Sequence, residues 1–221
     1  MILTPITPKL LSVRRIPAAD PALLKAYGAD PTRHVSLGLV TCDQDDALYV
    51  ALDEATKHAD VDVVFARSFY AGAAHGSGRL SGEILGVLAA ADPQAIDDGL
   101  LALERCLLHD ACFYDADGAR TITVFPHVIG SLGRYLSAAS GVPVGEPLAY
   151  LVAPPMEATL GFDAALKAAA VRLVKLTPPP TETNFACAWL TSATPGDLGA
   201  CEAAATAFAA AVVDVATSPR R

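Results

Sequence analysis

Charge and aromatic rings are both scarce in this 221-residue chain, with 18% Asp, Glu, Lys and Arg, 6% Phe, Trp and Tyr, and a single Trp. The few charges are lopsided, 16 Lys and Arg against 24 Asp and Glu, which gives a net charge of −8 and an isoelectric point near 5.0. No basic stripe remains to displace counterions from a phosphate backbone, so nucleic acid is not the expected partner. Paired cysteine motifs are missing as well. The five cysteines, Cys42, Cys106, Cys112, Cys187 and Cys201, are odd in number, and none sits in a CxxC pair or at ligand spacing from a histidine. They read as buried thiols in a reducing compartment. A signal-peptide core is also lacking, because the Arg pair of MILTPITPKLLSVRR follows the short apolar stretch instead of preceding it. The most apolar late segment, ATAFAAAVVDVA, is interrupted by Asp214 and reads as too short to span a bilayer. The expectation is a soluble, cytoplasmic protein with no membrane partner.

Apolar residues, in contrast, are plentiful. They make up 52% of the chain, and the mean hydropathy is +0.38. That composition excludes a disordered chain. It also exceeds what a monomer of this size hides comfortably, so burial between subunits is expected.

One offset organises the chain. Asp53, Ala55, Lys57, Ala59 and Val61 recur 110 residues later as Asp163, Ala165, Lys167, Ala169 and Val171. The Val-rich DVDVVFA at 60–66 aligns in turn with AVRLVKL at 170–176. Beyond it, GEILGVLAAADP from Gly82 aligns with NFACAWLTSATP from Asn184, where the offset has fallen to 102. The first repeat therefore carries the longer connection, and extra residues in one loop of a matched pair point to a specialised task. Each half reads strand, helix, strand, helix, strand, long loop, strand, helix. The fold class expected is α/β of the α+β type: two tandem domains, 1–110 and 111–221, each a mainly antiparallel sheet with helices on one face. In the first half, LGLVT at 37–41 reads as a strand, and Asp45 or Asp46 is placed to cap the helix that follows. That helix buries Leu48, Ala51, Leu52, Ala55 and Ala59, and the closing helix buries Ile96, Leu100, Leu103 and Leu107.

Enzyme motifs fail. The glycine-rich YAGAAHGSGRLSGE at 70–83 lacks the Lys-Ser/Thr of a phosphate loop and has Ser81 where a dinucleotide fingerprint needs its last glycine. No GxSxG occurs, and His34, His58, His75, His109 and His127 are scattered without HExxH spacing. The neighbouring pair Asp97/Asp98 reads as a solvated helix face.

The segments SLGLVTCDQDDALYVALDEATKHADVDVVFARSFYAGAAHG, PLAYLVAPPMEATLGFDAALKAA and TPPPTETN resemble the tandem-domain shell proteins of the ethanolamine-utilization bacterial microcompartment. The likeness runs from about Arg33 to the final helix. It implies two circularly permuted microcompartment domains per chain, a homotrimer that mimics a hexagon, and tiling with other shell proteins in a microcompartment in the cytoplasm. It implies no enzyme activity and no required cofactor. Lys57 and Lys167 fall near the tile edge. The longer first-repeat loop, Tyr70 to Gly78, becomes the gate of a central pore on the threefold axis: Tyr70, Ala71, Gly72, Ala73, Ala74, His75 and Gly76. Three His75 rings meeting there would form a zinc site with an open fourth position. The resemblance also implies smaller pores within each subunit that bind ethanolamine, with ethanolamine there favouring the closed gate. The matching positions are Asp45, Asp46, Glu83 and Phe113, with Glu182, Thr183 and Asn184 facing them. Carboxylates suit an ammonium, Phe113 covers the carbons, and Thr183 or a backbone group takes the hydroxyl. Two other readings compete with the gated tile: a small-amine-binding regulatory trimer that never tiles, and a hydrolase using Asp or Glu with His75.

Overall fold

The computed structural model describes residues 3–69 and 80–218. In chain order the elements are β1 (Thr4–Ile6), β2 (Leu10–Ile16), α1 (Pro21–Ala26), β3 (Ser36–Cys42), α2 (Asp45–His58), β4 (Asp62–Ser68), β5 (Ile84–Ala90) and α3 (Pro93–His109). The chain continues with β6 (Phe113–Asp115), β7 (Thr123–Ile129), α4 (Arg134–Ser140), β8 (Leu148–Ala153), α5 (Pro155–Ala168), β9 (Val171–Thr177), β10 (Ala186–Ser192) and α6 (Leu198–Thr217). The repeat is visible in both order and pairing. One sheet runs β2-β3-β5-β4, and the other contains β7-β8-β10-β9 in the same arrangement, with every strand pair antiparallel. The mixed helix and antiparallel-sheet fold expected from the sequence is the one found.

The division of the chain differs from a simple halving at 110/111. One compact unit comprises Thr7–Ala111 with Gly133–Leu136, and the other takes Cys112–Leu132, the chain from Ser137 onward and the N-terminal strand. Two short strands that periodicity did not reveal account for part of this. β1 pairs with β6, and β6 with β7, extending the second sheet to six strands. Pro5, opposite Tyr114, is tolerated because β1 is the edge strand.

In the first-repeat unit the sheet is covered on both faces, which corrects the expectation of helices on one. The space over Gly38 is filled by Ile96 and Leu100 of α3, and that over Gly86 by Leu52 of α2. The alternate residues Leu37, Val87 and Ala89 pack with Leu24 of α1, which is 2% exposed. Strands β3 and β5 are apolar at both parities, so neither face is stable in water. The expected core positions Leu48, Ala51, Leu52, Ala55, Ile96, Leu100, Leu103 and Leu107 are buried, whereas Ala59 is a half-buried cap residue.

Helix starts follow local chemistry with one correction. Asp92 accepts from the Ala95 N–H at 3.0 Å and Asp197 from the Ala200 N–H at 3.1 Å, capping α3 and α6. At α2 the cap position belongs to Gln44, and Asp45 and Asp46 lie inside the first turn. Helix α6 is longer than its apolar core segment implied: its 20 residues meet the length and hydropathy of a membrane span. Its Cys201, Ala204, Ala205, Phe208 and Val212 are nonetheless the core of the second-repeat unit, with Phe208 stacked on Phe162 of α5. All five cysteines are free thiols; Cys42, Cys106 and Cys201 are buried, but Cys112 and Cys187 are only half-buried.

A buried carboxylate explains why Gly133–Leu136 belongs with the first-repeat unit. Asp53 is fully buried, and its two oxygens accept the N–H groups of Gly133 at 2.7 Å and Leu136 at 2.8 Å. Thr56 Oγ1 accepts the Arg134 N–H at 3.0 Å, and the Arg134 guanidinium donates to the carbonyls of Thr56 and Val61. Gly133 has no side chain to cap α4, so α2 caps it from outside. Burial pushes the Asp53 carboxyl above its usual range, against the pull of the two amides and Lys57. At the equivalent place in the second repeat, Asp163 is largely exposed and pairs with Lys167 at 2.6 Å.

The repeat thus contains its own control. Asp53→Ala leaves two buried amide donors unpaired and is expected to cost roughly 3 kcal/mol, whereas Asp163→Ala stays within about 0.5 kcal/mol. Thermal melts at one fixed protein concentration check this, and equal melting shifts would refute the clamp. A Cβ on Gly133 would lie 2.5 Å from the Asp53 carbonyl oxygen. Gly133→Ala is therefore expected to destabilise by about 1–3 kcal/mol in the same assay.

Candidate functional site

The register of β3 with β5 assembles the acidic residues of the first-repeat unit. Cys42 pairs with Ile84, and the ladder continues one step further as the Glu83 N–H donates to the Cys42 carbonyl at 2.7 Å. Gly82, at φ +63°, makes this closure possible, since a Cβ there would sit 2.1 Å from the Cys42 carbonyl oxygen. Glu83 is thereby fixed beside the turn that carries Asp43 into α2. Asp43 accepts the Lys9 N–H at 2.7 Å, and Asp45 accepts the Asp46 N–H at 2.9 Å. Asp45 and Asp46 are only 8% and 9% exposed, and the positive end of α2 offsets part of their charge. Glu83 has less relief. Burial, followed by the charges of Asp45 and Asp43, raises its carboxyl above the usual range. A cation entering here relieves repulsion among carboxylates already in place.

Two groups beside this cluster escaped the sequence reading. Tyr49 lies one turn after Asp45 on α2, and its hydroxyl is 3.0 Å from Ser68 Oγ and accepts the Ser68 N–H at 3.1 Å. Burial raises the Tyr49 phenol, and Asp45 and Asp46 push it the same way. The i, i+4 spacing of Asp45 and Tyr49 was the available signal, but Ser68 enters only through strand pairing.

The remaining members of the expected amine site lie in the second-repeat unit. Phe113 on β6 has its ring 4.9 Å from Phe125 and 6.2 Å from Phe185, between centroids. Phe185 follows the turn that holds Glu182, Thr183 and Asn184, closed by the Asn184 N–H donating to Thr181 O at 3.2 Å with Asn184 at φ +58°. Phe113 and that turn are therefore neighbours through Phe185. The structure brings Asp45, Asp46 and Glu83 together as one group and Phe113 with the 182–184 turn as another.

The gate residues Tyr70, Ala71, Gly72, Ala73, Ala74, His75 and Gly76 lie outside the described residues, and with them the zinc position. Among the described residues no group of three or more His, Cys, Asp or Glu is arranged to hold a metal ion. Lys57 pairs with Glu54 at 2.5 Å and approaches Asp53 at 3.9 Å, while Lys167 is occupied by Asp163. His34, 7% exposed, offers no base to a substrate: Nδ1 accepts the Asp30 N–H at 3.1 Å, and Nε2 faces Asp62 Oδ2 at 3.1 Å. Of the Asp97/Asp98 pair, Asp97 bonds Arg15 at 2.5 Å and Asp98 accepts from Gln94 at 2.9 Å, as a solvated helix face does.

Comparison with known proteins supplies the family. Residues 36–109 match the BMC domain. The chain is 47% identical over 214 residues to the bacterial microcompartment shell protein EutL of Clostridium perfringens (strain 13 / Type A), covering 97% of this chain and 96% of that one. It is 44% identical over 215 residues to EutL of Salmonella typhimurium (strain LT2), covering 97% and 95%. The monoclinic crystal structure of EutL from Clostridium perfringens superposes with a TM-score of 0.91 at 46% identity, over 98% of this chain and 96% of that one. Likeness this extensive in both sequence and tandem fold means that the chain belongs to the EutL family of bacterial microcompartment shell proteins, whose role is structural and not enzymatic.

Proposed function

We propose that this shell protein is a trimeric, gated tile whose acidic site binds ethanolamine. The observation that carries the reading is the Glu83 carboxyl, half-buried and crowded by Asp43 and Asp45. An ammonium supplies the positive charge and hydrogen-bond donors that such a cluster lacks, and charge-assisted bonds of this kind are worth about 1.5–3 kcal/mol each. The gate is assigned to the Tyr70–Gly78 loops meeting on the threefold axis, and ethanolamine is taken to favour the closed state. Such coupling requires tighter binding to closed than to open trimers. The apolar composition supports extensive subunit contact, and exposed Leu173 and Leu176 on β9 and Met156 and Leu160 on α5 are surfaces suited to it.

Titration calorimetry with ethanolamine tests the site. Glu83→Gln combined with Asp45→Asn is expected to weaken binding by roughly 10–100-fold; unchanged affinity refutes it. The pH dependence has a definite sign. A carboxyl with a raised pKa takes up its proton while ordinary glutamates are still charged, so affinity falls on acidification through that raised value. The ammonium stays charged throughout. Glu83→Gln alone is expected to flatten the profile in that range, and a profile that keeps its slope would remove Glu83 from the site.

Tiling is separable from binding. Negative-stain images of concentrated protein, with the solution mass measured on the same sample, are expected to show trimers in hexagonal sheets. Glu substitution of both Lys57 and Lys167 is expected to dissolve the sheets and leave the trimer mass unchanged. Trimers that bind ethanolamine yet form no lattice in the unsubstituted protein would favour the non-tiling regulatory reading.

A further inference from the structure

The two repeats expose the same helix face unequally. In the first repeat, α2 meets the segment that follows β7: Asp53 accepts the Gly133 and Leu136 N–H groups, and Thr56 Oγ1 accepts the Arg134 N–H. Val50, Asp53 and Thr56, on that side of the helix, are all buried. The 110-residue offset carries these positions to Leu160, Asp163 and Leu166 of α5. There the face is open: Leu160 is 52% and Leu166 38% exposed, and the Asp163 side chain is 62% exposed.

The segment shows the same imbalance. Residues 130–133 separate β7 from α4, and residues 17–20 separate β2 from α1, so Gly133, Arg134 and Leu136 correspond to Asp20, Pro21 and Leu23. Leu136 is buried, whereas Leu23 is 36% exposed and Asp20, Pro21 and Ala22 lie open beside it. One chain thus holds a face without its segment and a segment without its face.

Their chemistry has changed in step. Arg134 offers an N–H and Thr56 accepts it; Pro21 has no N–H, and α5 carries Leu166 in place of Thr56. Gly133 cannot cap α4 and relies on Asp53. Asp20 caps α1 itself, accepting the Ala22 N–H at 2.8 Å, and Asp163 is left to Lys167. What remains is apolar: Leu160 and Leu166 on the helix, Pro21, Ala22 and Leu23 on the segment. Such groups gain by leaving water together.

Resting on the trimeric reading above, we infer that these two surfaces bind each other between copies of the chain: the Leu160, Asp163 and Leu166 face of α5 on one copy takes residues 20–23 of the next. Both surfaces are open in the single chain, so the contact is not made within it. Its two halves differ, which makes the interface heterologous and head to tail, the kind that closes into a ring when the rotation allows.

Sedimentation of the whole protein tests this. The unsubstituted chain is expected at the mass of three copies, each of 22.8 kDa. Leu23→Asp and Leu166→Asp each put an unpaired charge into every joint and are expected to run as single chains. Both positions are partly exposed in one copy, and a melt checks that each variant folds. Mixing the two variants decides the geometry. Leu166→Asp keeps a sound segment and Leu23→Asp a sound face, so an equimolar mixture is expected to give heterodimers that cannot close. Amine cross-linking of the unsubstituted protein needs no variant: a link between Lys25 on α1 and Lys167 on α5 is expected in the dimer and trimer bands and not in the monomer band. Trimers that persist in both variants, or cross-linked trimers without that link, overturn the inference and leave the trimer standing. Folded single chains that stay single when mixed overturn the head-to-tail pairing. A monomeric unsubstituted protein removes the trimeric reading and the inference with it.

Discussion

The antiparallel pairing of β3 with β5 is the interaction on which the candidate site depends. Its last bond, from the Glu83 N–H to the Cys42 carbonyl, puts a residue from the end of the long first-repeat connection next to the residues that begin α2. Asp43 and Asp45 precede Glu83 by 40 and 38 residues in sequence, and they share one electrostatic environment with it because the ladder closes there. The closure needs glycine at 82, where both the positive φ and the contact with the Cys42 carbonyl exclude a side chain.

The same repeat has been turned to two ends. In the second half, Asp163 and Lys167 remain a surface ion pair, of a kind worth little. In the first half, Asp53 is buried and its oxygens cap a helix that Gly133 leaves uncapped. Duplication supplied one pattern, and burial decided what each copy does. The loops diverge in the same manner: the first repeat carries the longer connection, the second a short turn closed by Asn184 in the left-handed region. Membership of a microcompartment shell-protein family agrees with an apolar composition that exceeds what a monomer of this size hides comfortably.

Much of this was legible without coordinates. The Asp, Ala, Lys, Ala, Val register located both halves, and the strand and helix order matches the expected pattern because periods of 2 and 3.6 are local properties of a chain. The family was legible from the strings around Asp45 and the glycine-rich loop. Less was visible at edges and caps. β1 and β6 are three residues each, too short to show alternation, and they exist because they pair with each other. Asp45 and Asp46 looked like caps; the helix starts one residue earlier than that reading requires, so both carboxylates lie within its first turn.

By itself the sequence determined the tandem organisation, the mixed antiparallel fold, the core faces of α2 and α3, and the family. Those follow from hydrophobic period and from similarity, which are properties of neighbours along the chain. Only the tertiary structure decided that α1 covers the second face of the β3–β5 sheet, that Asp53 is a buried cap while Asp163 is a surface ion, and that Ser68 stands against Tyr49 beside Glu83. Each of these depends on strand register or burial, where residues far apart in sequence become partners, and no local pattern carries that information.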